Sequence, residues 1–223
     1  MKKSLNFICL LTLFNVAIGC KTDGKQEKKE EISKPEPALS VSRQFEVDED
    51  SSIINWVGSK PTGEHNGSIK VQSGEMEFKE GKLVSGKFTI AMKSIVVEDL
   101  KGQDKIDLEN HLKGTVEGKE DHFFNIKKYP KAYFKIKSVE PYKNKFKIKG
   151  DLELKGAINS VEFVSEVKFG NDMQAVKILS EQFKIDRTKW GISFMSQSVF
   201  DDLKDKFISD EILLQIYIKA LKV

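Results

Sequence analysis

The side chains best suited to chemistry in this chain are His65, His111, His122 and Arg187. An imidazole can ligate a metal or move protons near neutral pH. None of the three histidines forms an HExxH or HxH pattern, and no two have the i, i+4 spacing of a helical metal site. The chain also lacks a GxSxG nucleophile elbow, a dinucleotide fingerprint, a P-loop and a CxxC motif. We therefore predict no metal, no cofactor and no catalytic residues, so the chain is not expected to be an enzyme.

A second chemical feature is Cys20, which ends a short apolar leader. Two lysines precede an apolar run, Leu5 to Val16, and Ala17-Ile18-Gly19-Cys20 resembles the lipobox of a bacterial lipoprotein precursor. We predict a lipoprotein signal peptide at 1–19, acylation of Cys20 and export. An ordinary signal peptide with a chance cysteine is the alternative. The residue after Cys20 is not the Asp that retains enterobacterial lipoproteins at the inner membrane, which favours the outer membrane, facing the periplasm or the surface.

Composition restricts the partners and the redox chemistry of the chain. It has 37 basic and 34 acidic residues and a net charge of +3, which gives no broad attraction for nucleic acid. Its two cysteines are Cys9, which would leave with the leader, and Cys20, so the mature domain has no disulfide and must rely on its core. Lysines, acids and prolines dominate the following segment, so residues 20–42 are predicted to form an acylated, flexible tether.

From Phe45 onward, apolar and polar residues alternate with a period of two, which is typical of half-buried strands. Eight such segments are predicted, near Ile54, Ile69, Phe88, Ala132, Phe146, Val161, Val176 and Ile212. Short turns separate several of them, for example Glu80-Gly81 and the segment Gly156 to Asn159. Such short connections favour antiparallel neighbours.

Eight antiparallel strands with one apolar face can hide that face by closing into a barrel. The outer faces are rich in Lys and Glu, which indicates water outside rather than lipid. We predict an all-β, eight-stranded antiparallel barrel with one or two short helices near one end. One helix would carry Leu108 and Leu112 and end at Gly114; the other, at 198–208, would begin with a capping box of Ser198 and Asp201. The residues alone leave open whether the interior is filled or holds a slim ligand.

Five segments of the sequence resemble segments of a known protein family. They are Trp56 to Ile69; Gly86 to Ile95; His111-Leu112-Lys113 with Phe123-Phe124 and Tyr129 to Phe134; Asp186 to Ile192; and Ile208 to Ile212. In this order they resemble the YceI-like, polyisoprenoid-binding family, over about residues 45–222. The resemblance implies one domain at 43–223, a lipocalin-like barrel whose lumen holds an isoprenoid or quinone-type lipid as its ligand.

The resemblance also implies which residues would contact that ligand. The lumen set is Trp56, Phe88, Ile90, Met92, Phe134, Ile136, Phe146, Ile148, Phe163, Val167 and Trp190. The mouth set is His65, Phe123 and Arg187.

Each polar residue near the mouth has two possible roles, one in contacting the ligand and one in stabilising the fold. His65 either contacts the ligand or hydrogen-bonds to the adjacent Asn66-Gly67 backbone. Arg187 forms either an ion pair that fixes its loop or a fork that binds an oxygen-rich headgroup. We expect His111 to be a structural histidine and His122 to be solvated.

These observations predict a lipid-anchored binding protein that holds an isoprenoid or quinone-type chain for transport, storage or sequestration, for instance under stress. A homodimer is compatible with this interpretation, and nucleic acid is not an expected partner. Two alternatives stay open: a structural or interaction barrel without a ligand, and an enzyme that acts on a lipid headgroup.

Overall fold

The computed structural model describes residues 41–223. The predicted signal peptide, Cys20 and the tether up to residue 40 lie outside the described residues. None of the helices in the described part is long and apolar enough to cross a bilayer.

Antiparallel strands and one α-helix make up most of the described chain. The strands are β1 (Ser42–Val47), β2 (Ile53–Lys60), β3 (Gly63–Lys79), β4 (Lys82–Ala91), β5 (Val96–Val97), β6 (Lys131–Tyr142), β7 (Lys145–Leu154), β8 (Ala157–Phe169), β9 (Ala175–Ser180), β10 (Phe183–Asp186) and β11 (Glu211–Lys222). The helix α1 (Gly102–Lys113) lies between β5 and β6.

Eight of these strands close into a ring, in the order β11–β2–β3–β4–β6–β7–β8–β9 and back to β11. All neighbours in the ring are antiparallel. The closing pair runs from Tyr217 opposite Leu179 to Leu221 opposite Ala175. Closure gives the strands of the ring partners on both sides and encloses the inward-facing apolar residues. The predicted eight-stranded antiparallel barrel is confirmed.

Each of the three remaining strands lies in line with a strand of the ring and pairs with a neighbour of that strand. β1 pairs with β11 and β3, as β2 does further along, so β1 and β2 form one line broken at residues 48–52. β10 continues β9 along β11, and the two residues of β5 pair with β3. The alternation pattern predicted none of these three short strands.

Two hairpins turn through two residues that both have positive φ. At Glu80 and Gly81 φ is 51° and 77°, and at Lys155 and Gly156 it is 50° and 78°. This combination is the type I′ turn, whose twist matches that of the flanking strands and which favours glycine. The predicted turn at Glu80-Gly81 is confirmed, whereas the predicted turn from Gly156 to Asn159 is too long because β8 begins at Ala157.

One of the two predicted helices is present. α1 ends where the sequence predicts, at Gly114, which has a left-handed conformation with φ of 69°. The helix predicted at 198–208 is wrong: only the single 3-10 turn Lys204–Lys206 forms there. Ser198 does not cap a helix, because its hydroxyl donates a 2.6 Å hydrogen bond to Asp210 Oδ2.

Three phenylalanines fill one end of the barrel. Phe45 and Phe78 are completely buried, and Phe169 packs against both, with ring centroids 4.9–5.7 Å apart. They come from β1, β3 and β8, near the β3–β4 and β8–β9 turns. α1 and the long connections at 98–130 and 187–210 lie at the opposite end. The barrel therefore has a solid end and an end built from loops.

Candidate ligand-binding cavity

A cavity of about 380 Å³ lies inside the barrel. This volume falls within the roughly 300–1,000 Å³ typical of small-molecule sites. Its wall is almost entirely apolar and draws on most strands of the ring, including Ile69 and Val71 of β3, Ile148 of β7 and Ile212, Leu214, Ile216 and Ile218 of β11. The sequence left a filled or a hollow interior open, and the structure shows a hollow one.

The cavity persists because bulky and small residues are unevenly placed along the barrel. Phe45, Phe78 and Phe169 occupy the solid end and do not line the cavity. Gly58 does line it, and a Cβ built on Gly58 would meet no atom within 4 Å. A side chain at this position of β2 would therefore extend into open space rather than into the packed wall.

Eight of the eleven residues predicted for the lumen line the cavity: Trp56, Phe88, Ile90, Met92, Phe134, Ile136, Ile148 and Phe163. Phe146 and Val167 do not. Phe146 is paired with Ser165, two residues beyond the cavity-lining pair of Ile148 and Phe163, in the direction of the solid end. The alternation placed Phe146 and Val167 on inward strand faces, but it carries no information about where along the barrel a cavity stops.

Trp190 is the third residue predicted for the lumen that does not line the cavity. It is buried in the 3-10 turn Arg187–Trp190, and its Nε1 donates a 3.0 Å hydrogen bond to the carbonyl oxygen of Leu152. The ring therefore attaches this turn to the end of β7 and has a structural role.

Polar residues line the cavity only at its loop end. Ser59, Lys60, His65, His111, Arg187 and Ser209 form this group, which we call the polar rim. The predicted mouth residue Phe123 borders the cavity in the same region, with its ring edge-on to His111 at 5.1 Å. An apolar cavity with one polar end matches an amphiphilic ligand that has a long apolar chain.

His65 lies on the inward face of β3, in phase with Ile69 and Val71. Its Nδ1 is 2.8 Å from Asp99 Oδ2, and the backbone N–H of Asn66 donates to Asp99 Oδ1 at 2.9 Å. Partial burial of Asp99 opposes its ionisation, but these hydrogen bonds outweigh that effect and lower the pKa of the carboxyl group. His65 is therefore held by the carboxylate of Asp99, which lies between β5 and α1, and not by the adjacent backbone.

Arg187 borders the cavity, but its guanidinium is bound by the protein itself. The side chain is 1 % exposed and donates to the carbonyl oxygens of Ile192, Ile208 and Ser209 at 2.7–2.9 Å. Asp210 Oδ1 lies 3.4 Å from Nη2. These contacts favour the loop-fixing alternative for Arg187 over the headgroup fork, because the three nitrogens already have acceptors.

The hydrogen bond between His111 of the polar rim and His122 was not predicted from the sequence. His111 Nε2 and His122 Nδ1 are 2.8 Å apart, and the His122 ring stacks on Phe194 with centroids 3.9 Å apart. The prediction that His122 is solvated is therefore wrong. Burial, together with the nearby His122 and Lys119, lowers the pKa of His111. Within residues 41–223 no group of three or more metal-ligating side chains is assembled.

Comparison with known proteins gives one family and several solved structures with a similar fold. The model of the family described as "YceI-like domain" matches residues 45–220. No curated protein sequence matches the chain. The crystal structure of BcnA from Burkholderia cenocepacia is similar with a TM-score of 0.57 and 21% identity, over 78% of this chain and 98% of that one. A polyisoprenoid-binding domain from Saccharophagus degradans has a TM-score of 0.54 and 11% identity, over 79% and 97%.

Proposed function

This chain belongs to the YceI-like domain family, and from that premise we propose that its barrel binds the apolar chain of an isoprenoid or quinone-type lipid. The observation that carries the proposal is the apolar cavity of about 380 Å³ with a polar rim at one end. Each CH₂ group moved from water into such a cavity contributes about 0.8 kcal/mol, so an enclosed chain can offset the cost of association.

The similarity to the polyisoprenoid-binding domain from Saccharophagus degradans supports the same proposal. That domain is described as binding polyisoprenoids, and its fold is shared with this chain. The apolar wall described above supplies, from this chain's own residues, the surface that such a ligand needs.

We also propose that the protein is lipid-anchored and exported. The support is the lipobox-like segment ending at Cys20 and the charged stretch that follows it. Acylation of Cys20, with the charged stretch after it as a tether, would hold the barrel near an outer membrane. In this setting the protein would transport, store or sequester its lipid.

Binding rather than catalysis is the proposed activity. The acidic and imidazole groups near the cavity, Asp99, His65 and His111, are engaged in hydrogen bonds with the protein, and each guanidinium nitrogen of Arg187 already donates to a backbone carbonyl. A nucleophile paired with a base is not among the residues of the polar rim, which is what acyl or phosphoryl transfer would need.

Mass spectrometry of lipid extracted from the purified chain tests this function. We expect a long-chain isoprenoid to co-purify with the wild-type chain and to be lost from Gly58→Phe, whose ring would occupy the free space beside β2. Gly58→Ala is the matched control and should retain the lipid. Absence of lipid from the wild-type chain, together with no rise in Tm on adding a prenyl lipid, would favour the barrel without a ligand.

A further inference from the structure

The hydrogen bond between His65 and Asp99 fixes which nitrogen of His65 carries the proton. Asp99 is held as a carboxylate and can only accept hydrogen bonds. Its Oδ2 lies 2.8 Å from His65 Nδ1, so Nδ1 carries the hydrogen. In the neutral imidazole the other nitrogen, Nε2, is then a hydrogen-bond acceptor.

The free acceptor belongs to a ring that borders the cavity. His65 follows the inward phase of β3, and none of the residues that the structure describes forms a hydrogen bond with Nε2. On the neighbouring strand, Gly58 pairs with His65 and leaves open space beside it. A ligand atom can therefore approach the ring from the cavity without displacing a protein side chain.

A cation lies on the same rim. Lys60 is two residues beyond Gly58 on the inward face of β2, and it also borders the cavity. Its ammonium group can only donate hydrogen bonds. This edge of the rim therefore offers one acceptor, His65 Nε2, and one donor group, Lys60 Nζ.

We infer that the bound lipid carries a hydroxyl headgroup, whose O–H donates to His65 Nε2 while its oxygen accepts from Lys60. A hydroxyl is both donor and acceptor, so it satisfies both groups, whereas an ether or ketone oxygen leaves the His65 acceptor without a proton. The inference rests on the proposed function and names its headgroup class: an alcohol or a phenol at the end of an apolar chain.

Matched ligands test the inference in the wild-type chain. Geranylgeraniol is compared with its methyl ether, and a prenylated phenol is compared with its own methyl ether, by titration with a fluorescent prenyl competitor. We expect the hydroxyl form to bind at least about fivefold more tightly in one or both pairs, a difference typical of the net contribution of one hydrogen bond. The pair with the larger ratio distinguishes an alcohol from a phenol.

Asp99→Asn tests the role of the carboxylate. The backbone N–H of Asn66 would still donate to the amide oxygen, so the amide NH₂ would face His65 Nδ1 and donate to it. The imidazole proton would then move to Nε2 and turn the acceptor into a donor. We expect the preference for the hydroxyl to disappear or reverse, and ¹⁵N NMR of the ligand-free chain to show the change of tautomer.

Asp48→Asn is the matched control, because Asp48 also accepts side-chain hydrogen bonds, from Lys219 and Ser51, but does not border the cavity. It should leave the preference unchanged. Equal affinity for hydroxyl and ether in the wild-type chain, or an unchanged preference in Asp99→Asn, would overturn the inference. If none of the four ligands bound, the proposed function itself would fail.

Discussion

At the scale of single residues, the contact between His111 and His122 joins three parts of the loop end. His111 comes from the last turn of α1, His122 from the segment that follows, and Phe194 from the connection before β11. One imidazole must donate to the other, so their hydrogen bond is compatible with one added proton on the pair but not with two. The protonation state of these rings therefore affects the stability of the loop end of the barrel.

The lowered pKa of His111 predicts that acid weakens the fold. In the unfolded chain this group binds its proton near its usual pKa of 6.5, whereas in the fold it binds only at a lower pH. Its contribution to stability is therefore complete above pH 6.5 and is lost as the pH falls towards the folded pKa. We expect Tm to fall between pH 7.5 and 5.5, and to fall less in His111→Gln. An equal fall in both proteins would contradict this prediction.

Residue types alone could identify some of these side chains but not their partners. His65 and Arg187 were predicted to lie at one end of the barrel, because they lie in segments next to strand ends, and both border the cavity. Their roles were not predictable, because the acceptors of Arg187 are backbone carbonyls as far as 22 positions away. The partner of His111 is 11 positions away, beyond the turn at Gly114.

At the scale of elements, the period-two alternation predicted the eight strands of the ring. That signal is robust because a half-buried strand must alternate along its whole length. It failed for β1, β5 and β10, which are only two to six residues long. The helix predicted at 198–208 is absent although the spacing of Ser198 and Asp201 suits a helix cap, and Ser198 instead donates a hydrogen bond to Asp210.

Two glycines on neighbouring strands offer a test of how tightly these elements pack. A Cβ on Gly67 of β3 would lie 1.9 Å from the carbonyl oxygen of Val96 and 2.7 Å from the Trp56 ring, whereas one on Gly58 of β2 meets nothing. We expect Gly67→Ala to lower the free energy of unfolding by about 2–3 kcal/mol, because β5 or Trp56 must move. Gly58→Ala should not lower it and should raise it by up to about 1 kcal/mol, because alanine has less conformational freedom than glycine in the unfolded chain. Urea denaturation of both variants measures the difference, and similar values would contradict this account of the packing.

At the scale of the whole molecule, the cavity depends on how side-chain volume is distributed along the barrel axis. The same apolar composition could have filled the interior, and the alternation is identical in the two cases. Here Phe45, Phe78 and Phe169 concentrate volume at one end, while Gly58 removes it near the other. The sequence could not reveal this distribution, because it depends on strand register and on which residues meet across the lumen.

A barrel with one solid end also predicts how affinity depends on ligand length. Each five-carbon unit that enters the cavity buries apolar surface worth up to roughly 4 kcal/mol, less the cost of ordering the chain. In a series of prenyl alcohols, Kd should fall with each added unit until the chain reaches the three phenylalanines, and then stay constant.

The position of that plateau connects the measurement to the structure. Gly58→Phe reduces the space available, so its plateau should come at a shorter chain than in the wild-type protein, whereas Gly58→Ala should leave it in place. Competition binding across the series measures both values. An affinity that rises with length without limit, and equally in all three proteins, would indicate adsorption to the outer surface, because only a chain inside the barrel is stopped by its solid end.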